Sequence, residues 1–189
     1  IKQIVPVISK SFLTKNPWMA VLLKGILERF YVVDESNPMG IKNLIKFIND
    51  TDDDINVLIF PEGRLSNNNI LMKMFDGPSK ISLDTNSDII PIFLDGPEKS
   101  IFSRTKSKLE YFPKITVFFR QAIKVSSFKH IEDQKEKIQS ITQKMYDVLC
   151  DMNTKIKINN SSTLFQSLIE KYKNSKSKEI IFTDHEKYY

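Results

Sequence analysis

Asn56-Val57-Leu58-Ile59-Phe60 runs straight into Pro61-Glu62-Gly63-Arg64-Leu65-Ser66, and this stretch decides the fold. The first half reads as a strand of the buried type, short and apolar. Pro61 removes an N–H and stops a strand ladder. Gly63 lets the backbone turn or approach a ligand closely. Glu62 and Arg64 set opposite charges at the lip of the apolar run. In α/β folds, ligands sit just past the carboxyl ends of strands, so this corner is a candidate site. By spacing alone, two arrangements fit. One is a plain turn with a local ion pair. In the other, Arg64 holds a phosphate bidentately, and Glu62 orients it or accepts from a substrate hydroxyl.

Working outward, strands and helices alternate. Residues 4–8 and 30–33 read as strands, apolar and β-branched or aromatic. Asn16-Pro17 and Asn37-Pro38 are helix starts, an Asn cap followed by Pro in the first turn. Behind the second, Ile41, Leu44, Ile45 and Ile48 share one helical face. The acidic turn 50–54 ends that helix. A helix is expected over 76–87. Residues 89–94 read as a strand at an edge or bulge, because Pro91 lies inside it. Residues 115–119 form another strand. A long helix spans 131–152 with Ile138, Ile141, Met145, Val148 and Leu149 on one side, and a last helix spans 162–173. The expected class is α/β: a mixed, mostly parallel sheet flanked by helices on both faces.

Composition narrows the chemistry. The chain has 189 residues, 41% hydrophobic and 27% charged, enough for one domain with a core and too apolar for a disordered chain. A single cysteine, Cys150, excludes a disulfide scaffold and a Cys-based zinc site, and is expected as a small buried hydrophobe. Two histidines, His130 and His185, leave little for a metal site, so no metal and no cofactor is expected. No apolar run reaches the ~18 residues of a membrane-spanning helix. Net charge is +5, unevenly spread. A basic block (Lys99, Arg104, Lys106, Lys108, Lys114, Arg120, Lys124, Lys129) could face phosphates, or be a solvated surface. Neither aromatic platforms nor finger-like spacing accompany it, so no nucleic acid is expected as partner. Trp18, Met19, Val21, Leu22, Leu23 and Ile26 have two readings. The favoured one is core. The other is an apolar patch in a membrane interface, with Lys10, Lys15 and Lys24 toward headgroups.

Phe60-Pro61-Glu62-Gly63-Arg64 resembles the third motif of the glycerolipid acyltransferase family, the lysophospholipid acyltransferase domain. Ile90-Pro91-Ile92 is similar to its fourth motif. Several further phrases resemble one subgroup, the acyltransferase part of bifunctional acyl-(acyl carrier protein) synthetase/2-acylglycerophosphoethanolamine acyltransferases. These are Asn37-Pro38-Met39 with Ile41-Lys42, Leu71-Met72-Lys73 into Asp76-Gly77, Phe102-Ser103-Arg104, and Phe112-Pro113-Lys114-Ile115-Thr116. Thr163 to Leu168, then Phe182-Thr183, resemble the connector into the adenylate-forming synthetase. The likeness covers nearly the whole chain, and its specificity lies in combined order and spacing.

That resemblance implies a glycerolipid acyltransferase-like fold. It also implies transfer of a fatty acyl group from a thioester of acyl carrier protein or CoA to a lysophospholipid such as 2-acylglycerophosphoethanolamine. The implied substrate-binding residues are Phe60, Pro61, Glu62, Gly63 and Arg64. The family's second motif maps loosely onto Gly25, Glu28 and Arg29. Arg29 either contributes to that phosphate site or is a helix-end Arg favoured by the macrodipole. Residues 1–153 would be the acyltransferase domain, and 154–189 a helix and linker toward a synthetase domain in the same or a neighbouring chain. The implied location is the cytoplasmic face of the cell membrane, peripheral or within a larger membrane protein, with the membrane surface itself a partner. The family's base is a His separated by four residues from a following Asp. His130 is followed at that spacing by Lys135, and His185 is too near the last residue, Tyr189. No catalytic residue is therefore expected in these residues, and the expectation is an N-terminally truncated domain. The alternative is a catalytically incomplete relative that acts only as a lipid-binding, phosphate-binding or partner module.

Overall fold

A computed structural model describes residues 3–34, 36–51, 55–63, 71–101, 103 and 109–160, excepting the side chains of 157–160. The amino-terminal part is a parallel sheet. β1 (Gln3–Ser9), β2 (Tyr31–Val33) and β3 (Ile55–Leu58) lie in the order β2-β1-β3. Gln3 to Pro6 of β1 pair with Ile55 to Leu58, whereas Val7 to Ser9 pair with Tyr31 to Val33. Pro6, which has no N–H to give, stands where one pairing stops and the other starts, so it breaks neither.

Between β1 and β2 come α1 (Lys10–Lys15) and α2 (Pro17–Ile26). The Ser9 hydroxyl caps α1 by accepting from the Phe12 N–H at 3.2 Å. Asn16 closes α1 rather than capping α2 with its side chain: its side-chain amide donates to the Phe12 carbonyl. Between β2 and β3 lies α3 (Gly40–Asp50). Asn37 prepares its start by accepting from the Met39 N–H at 2.9 Å, so the helix begins three residues after the Asn. Phe47 of α3 packs on Tyr31, ring centroids 5.0 Å apart.

The carboxyl-terminal part carries most of the core. α4 (Gly77–Asp84) is followed by the antiparallel pair β4 (Ile92–Asp95) and β5 (Thr116–Phe119), then by α5 (Gln134–Asn160). A buried cluster of Met74, Ile123, Met145, Leu149 and Met152 receives Phe93 and Phe118 from the inner face of the β4–β5 pair. Ile141 and Ile156 extend the buried stripe of α5 in both directions.

The protein is thus mixed α/β with a three-stranded parallel sheet and helices. Four expectations are corrected. The single mixed sheet appears, among the described residues, as two hydrogen-bonded pieces. Among the described residues the two sheet faces are covered unevenly: Val5 is buried, while on the opposite face Ile4, Val32 and Asn56 are exposed and Pro6, Ile8 and Leu58 are half-buried. The strand at 56–60 is half-buried rather than buried, because β3 has a partner on one side among the described residues. The helix expected over 131–152 begins at Gln134 and runs on through the 153/154 position to Asn160, held by buried Met152 and Ile156. The helix expected over 162–173 lies outside the described residues.

Candidate functional site

The corner at 60–63 follows the carboxyl end of β3. A tight turn forms it: the Gly63 N–H donates to the Phe60 carbonyl at 3.1 Å, and Gly63 has φ of +61°. That left-handed backbone is what the glycine permits. A Cβ at this position would also stand 3.0 Å from the Phe75 ring.

Two hydrogen bonds stitch the corner to the chain that returns past it. The Met72 N–H donates to Glu62 Oε2 at 2.9 Å, and the Phe75 N–H donates to the Pro61 carbonyl at 3.0 Å. Glu62 is consequently half-buried and turned toward backbone. Its carboxylate ties the backbone at Met72 to the corner. Phe60 and Phe75 are both exposed, so the corner presents aromatic surface beside polar backbone.

Phe60, Pro61, Glu62 and Gly63 therefore come together. Arg64 lies outside the described residues, as do 65–70. Arg29 stands elsewhere. It precedes β2 at that strand's amino end, and its guanidinium lies 5.6 Å over the Phe47 ring. Stacking on an aromatic face suits a planar guanidinium.

The returning segment leads into a shallow cleft of about 720 Å³, lined by Lys73, Met74, Asp76, Glu136, Gln139, Ser140, Thr142, Gln143 and Tyr146. At its floor Thr142 Oγ1 lies 2.9 Å from Asp76 Oδ1 and 2.8 Å from the Oγ of fully buried Ser79. A hydroxyl has one proton. When Thr142 donates to Asp76, Ser79 donates to Thr142, and the relay clamps α4 onto α5. No sequence pattern signals this clamp, since Thr142 is 63 residues from Ser79 and 66 from Asp76.

Part of the basic block is neutralised locally. Lys124 pairs with Asp88 at 2.6 Å, and Arg120 with Asp151 at 3.4 Å. The Lys124 ammonium, helped by the Val125 N–H, holds the Asp88 carboxyl below its ordinary range. Arg104, Lys106 and Lys108 lie outside the described residues. His130 is exposed, and His185 lies outside the described residues. Cys150 is half-buried rather than buried, beside Tyr146, whose hydroxyl it pushes up in pKa. Among the described residues no group of three or more His, Cys, Asp or Glu could hold a metal ion. Nor, among them, is any helix long and apolar enough to cross a membrane. No family model and no solved structure matches the chain.

Proposed function

We propose that the chain carries the acceptor-binding part of a lysophospholipid acyltransferase of glycerolipid acyltransferase-like fold. The corner at 60–64 holds the phosphate side of a one-tailed phospholipid such as 2-acylglycerophosphoethanolamine. Arg64 supplies the bidentate cation, and Phe60 lies along the apolar part of the acceptor. In the reaction, the free hydroxyl of the lysolipid attacks the carbonyl of an acyl thioester of acyl carrier protein or CoA. An ester C–O bond forms, the C–S bond breaks, and the hydroxyl proton ends on the departing thiol by way of a base.

The observation that carries this reading is the 2.9 Å bond from the Met72 N–H to Glu62. A plain solvent-facing turn would leave that carboxylate in water. Here it accepts from the Met72 backbone N–H and so steadies the corner that precedes Arg64 in sequence. The order and spacing of the motif-like phrases support the same reading, as does the position just past a parallel strand.

A second reading, binding without catalysis, is favoured by one fact. Neither histidine is followed, after four intervening residues, by an Asp. One pair of measurements separates the two. The chain is titrated with monomeric 2-acylglycerophosphoethanolamine, then supplied with a labelled acyl thioester and assayed for the two-tailed product. Binding with product formation supports acyl transfer by these residues. Binding without product supports the module. No binding overturns both. Arg64→Ala is expected to weaken lysolipid binding by about 2–4 kcal/mol, the cost of removing one partner from a desolvated charge pair. Unchanged affinity removes Arg64 from the site.

A further inference from the structure

α2 wears its apolar side outward. Trp18, Val21, Leu22 and Ile26 stand at i, i+3, i+4 and i+8, one stripe at 100° per residue, and are 54%, 73%, 46% and 68% exposed. At Gly25, i+7 on the same stripe, an added Cβ would meet open space. Met19 at the edge of the stripe, and Ala20 and Leu23 behind it, are half-buried, and no residue of the helix is buried. The core reading of this segment is therefore overturned. A globular surface does not normally present a whole helical stripe of Trp, Val, Leu and Ile to water.

Charge identifies what covers it. Residues 1–27 contain no Asp or Glu, Lys15 precedes the stripe, and exposed Lys24 stands to one side of it. Lys10, by contrast, is engaged with Asp34 at 2.7 Å. α2 itself offers only apolar groups and one cation, Lys24; the first carboxylate after it is Glu28. An anionic bilayer surface matches both: acyl chains for the stripe, phosphates for the ammonium groups, and the headgroup boundary for an indole in the first turn. At 10 residues, α2 is about 15 Å long, suited to lying in the interface and far too short to cross it. We infer that α2 is an interfacial docking helix that seats the protein on anionic membrane, burying Trp18, Val21, Leu22 and Ile26 at the headgroup boundary. This assignment stands on α2 alone and does not depend on acyl transfer.

Trp18 is the chain's one tryptophan, so its emission reports on this helix without labelling. The full chain is mixed with vesicles of phosphatidylglycerol and phosphatidylcholine that contain no lysophospholipid. The expected result is a blue shift of emission, and quenching by lipids brominated on the acyl chain. Val21→Glu with Ile26→Glu should lower vesicle partitioning at least tenfold. Both side chains are solvent-facing, so the circular dichroism spectrum and melting temperature should stay as in the unsubstituted chain. Lys15→Gln with Lys24→Gln should lower partitioning to anionic vesicles and leave the weak binding to pure phosphatidylcholine in place. Emission unmoved by anionic vesicles overturns the inference. So does equal partitioning by the Glu variant. A blue shift that follows protein concentration without lipid, with doubled mass in solution, assigns the stripe to a second copy instead and also overturns it. No lysolipid binding by the unsubstituted chain, with vesicle docking intact, would remove the proposed function and leave this inference standing.

Discussion

At the scale of single residues, the corner rests on Glu62 and Gly63. Glu62→Ala removes a charged acceptor from the Met72 N–H, and a hydrogen bond of that kind in a half-buried setting contributes about 1 kcal/mol. The expected outcome is a lower urea midpoint and faster amide exchange at Met72. The Phe75 amide, which bonds to the Pro61 carbonyl, should exchange as before. Glu62→Gln retains an oxygen and should lose less than half as much. Gly63 was legible from the sequence because a glycine after Pro-Glu marks a turn, and its φ of +61° meets that expectation. The direction of Glu62 was not legible. Its spacing from Arg64 suggests a local ion pair, whereas its acceptor role depends on a backbone N–H ten residues away.

At the scale of elements, alternating apolar runs revealed β1 to β5, α3 and α5, since strand and helix periods differ enough to be told apart. Helix starts were less legible. Asn16 and Asn37 both precede Pro, yet one closes the preceding helix and the other braces a turn, because an Asn side chain serves any nearby backbone group. α1 was missed: six residues give too short a pattern to show a period. The link that ties α1 to the end of β2 makes a pH prediction. Lys10, then the Ser36 hydroxyl, holds the Asp34 carboxyl down at about 2, below its ordinary 3.8. A depressed acid stabilises above its unfolded value and loses that contribution as pH falls from about 3.8 through about 2. Lys10 is raised above 10.5 by the same partner, so its contribution is complete below 10.5 and fades as pH rises beyond it. Asp34→Asn should flatten the acid limb between those two values and soften the alkaline limb, read as melting temperature against pH. An unchanged acid limb would mean that the pair is not formed in solution. Both groups are solvent-accessible, so salt should shrink the effect.

At the scale of the whole molecule, burial is lopsided. Of the buried apolar residues described, Val5 and Leu44 precede residue 60, and the rest, Met74 to Ile156, follow it. Local stability tracks buried apolar contact. Amides of β1, β2 and β3 should therefore exchange through openings of lower free energy than those of Ile141, Met145 and Leu149 in α5, measured by native-state hydrogen exchange across a denaturant series. Equal protection throughout would show one cooperative unit. The sequence pattern did not disclose this asymmetry, because an apolar run such as Ile4 to Ile8 looks the same whether one face or two are covered. The handover at Pro6 bears on assembly order. Because β2 and β3 grip different halves of β1, neither needs the other in place, and the two pairings are separate closures. The chain between β1 and β3 is about twice as long as that between β1 and β2, which by chain entropy alone handicaps the longer closure by only about 0.6 kcal/mol. Nascent chains can thus zip the two seams in either sequence, and a fault in one seam leaves the other to form unaided.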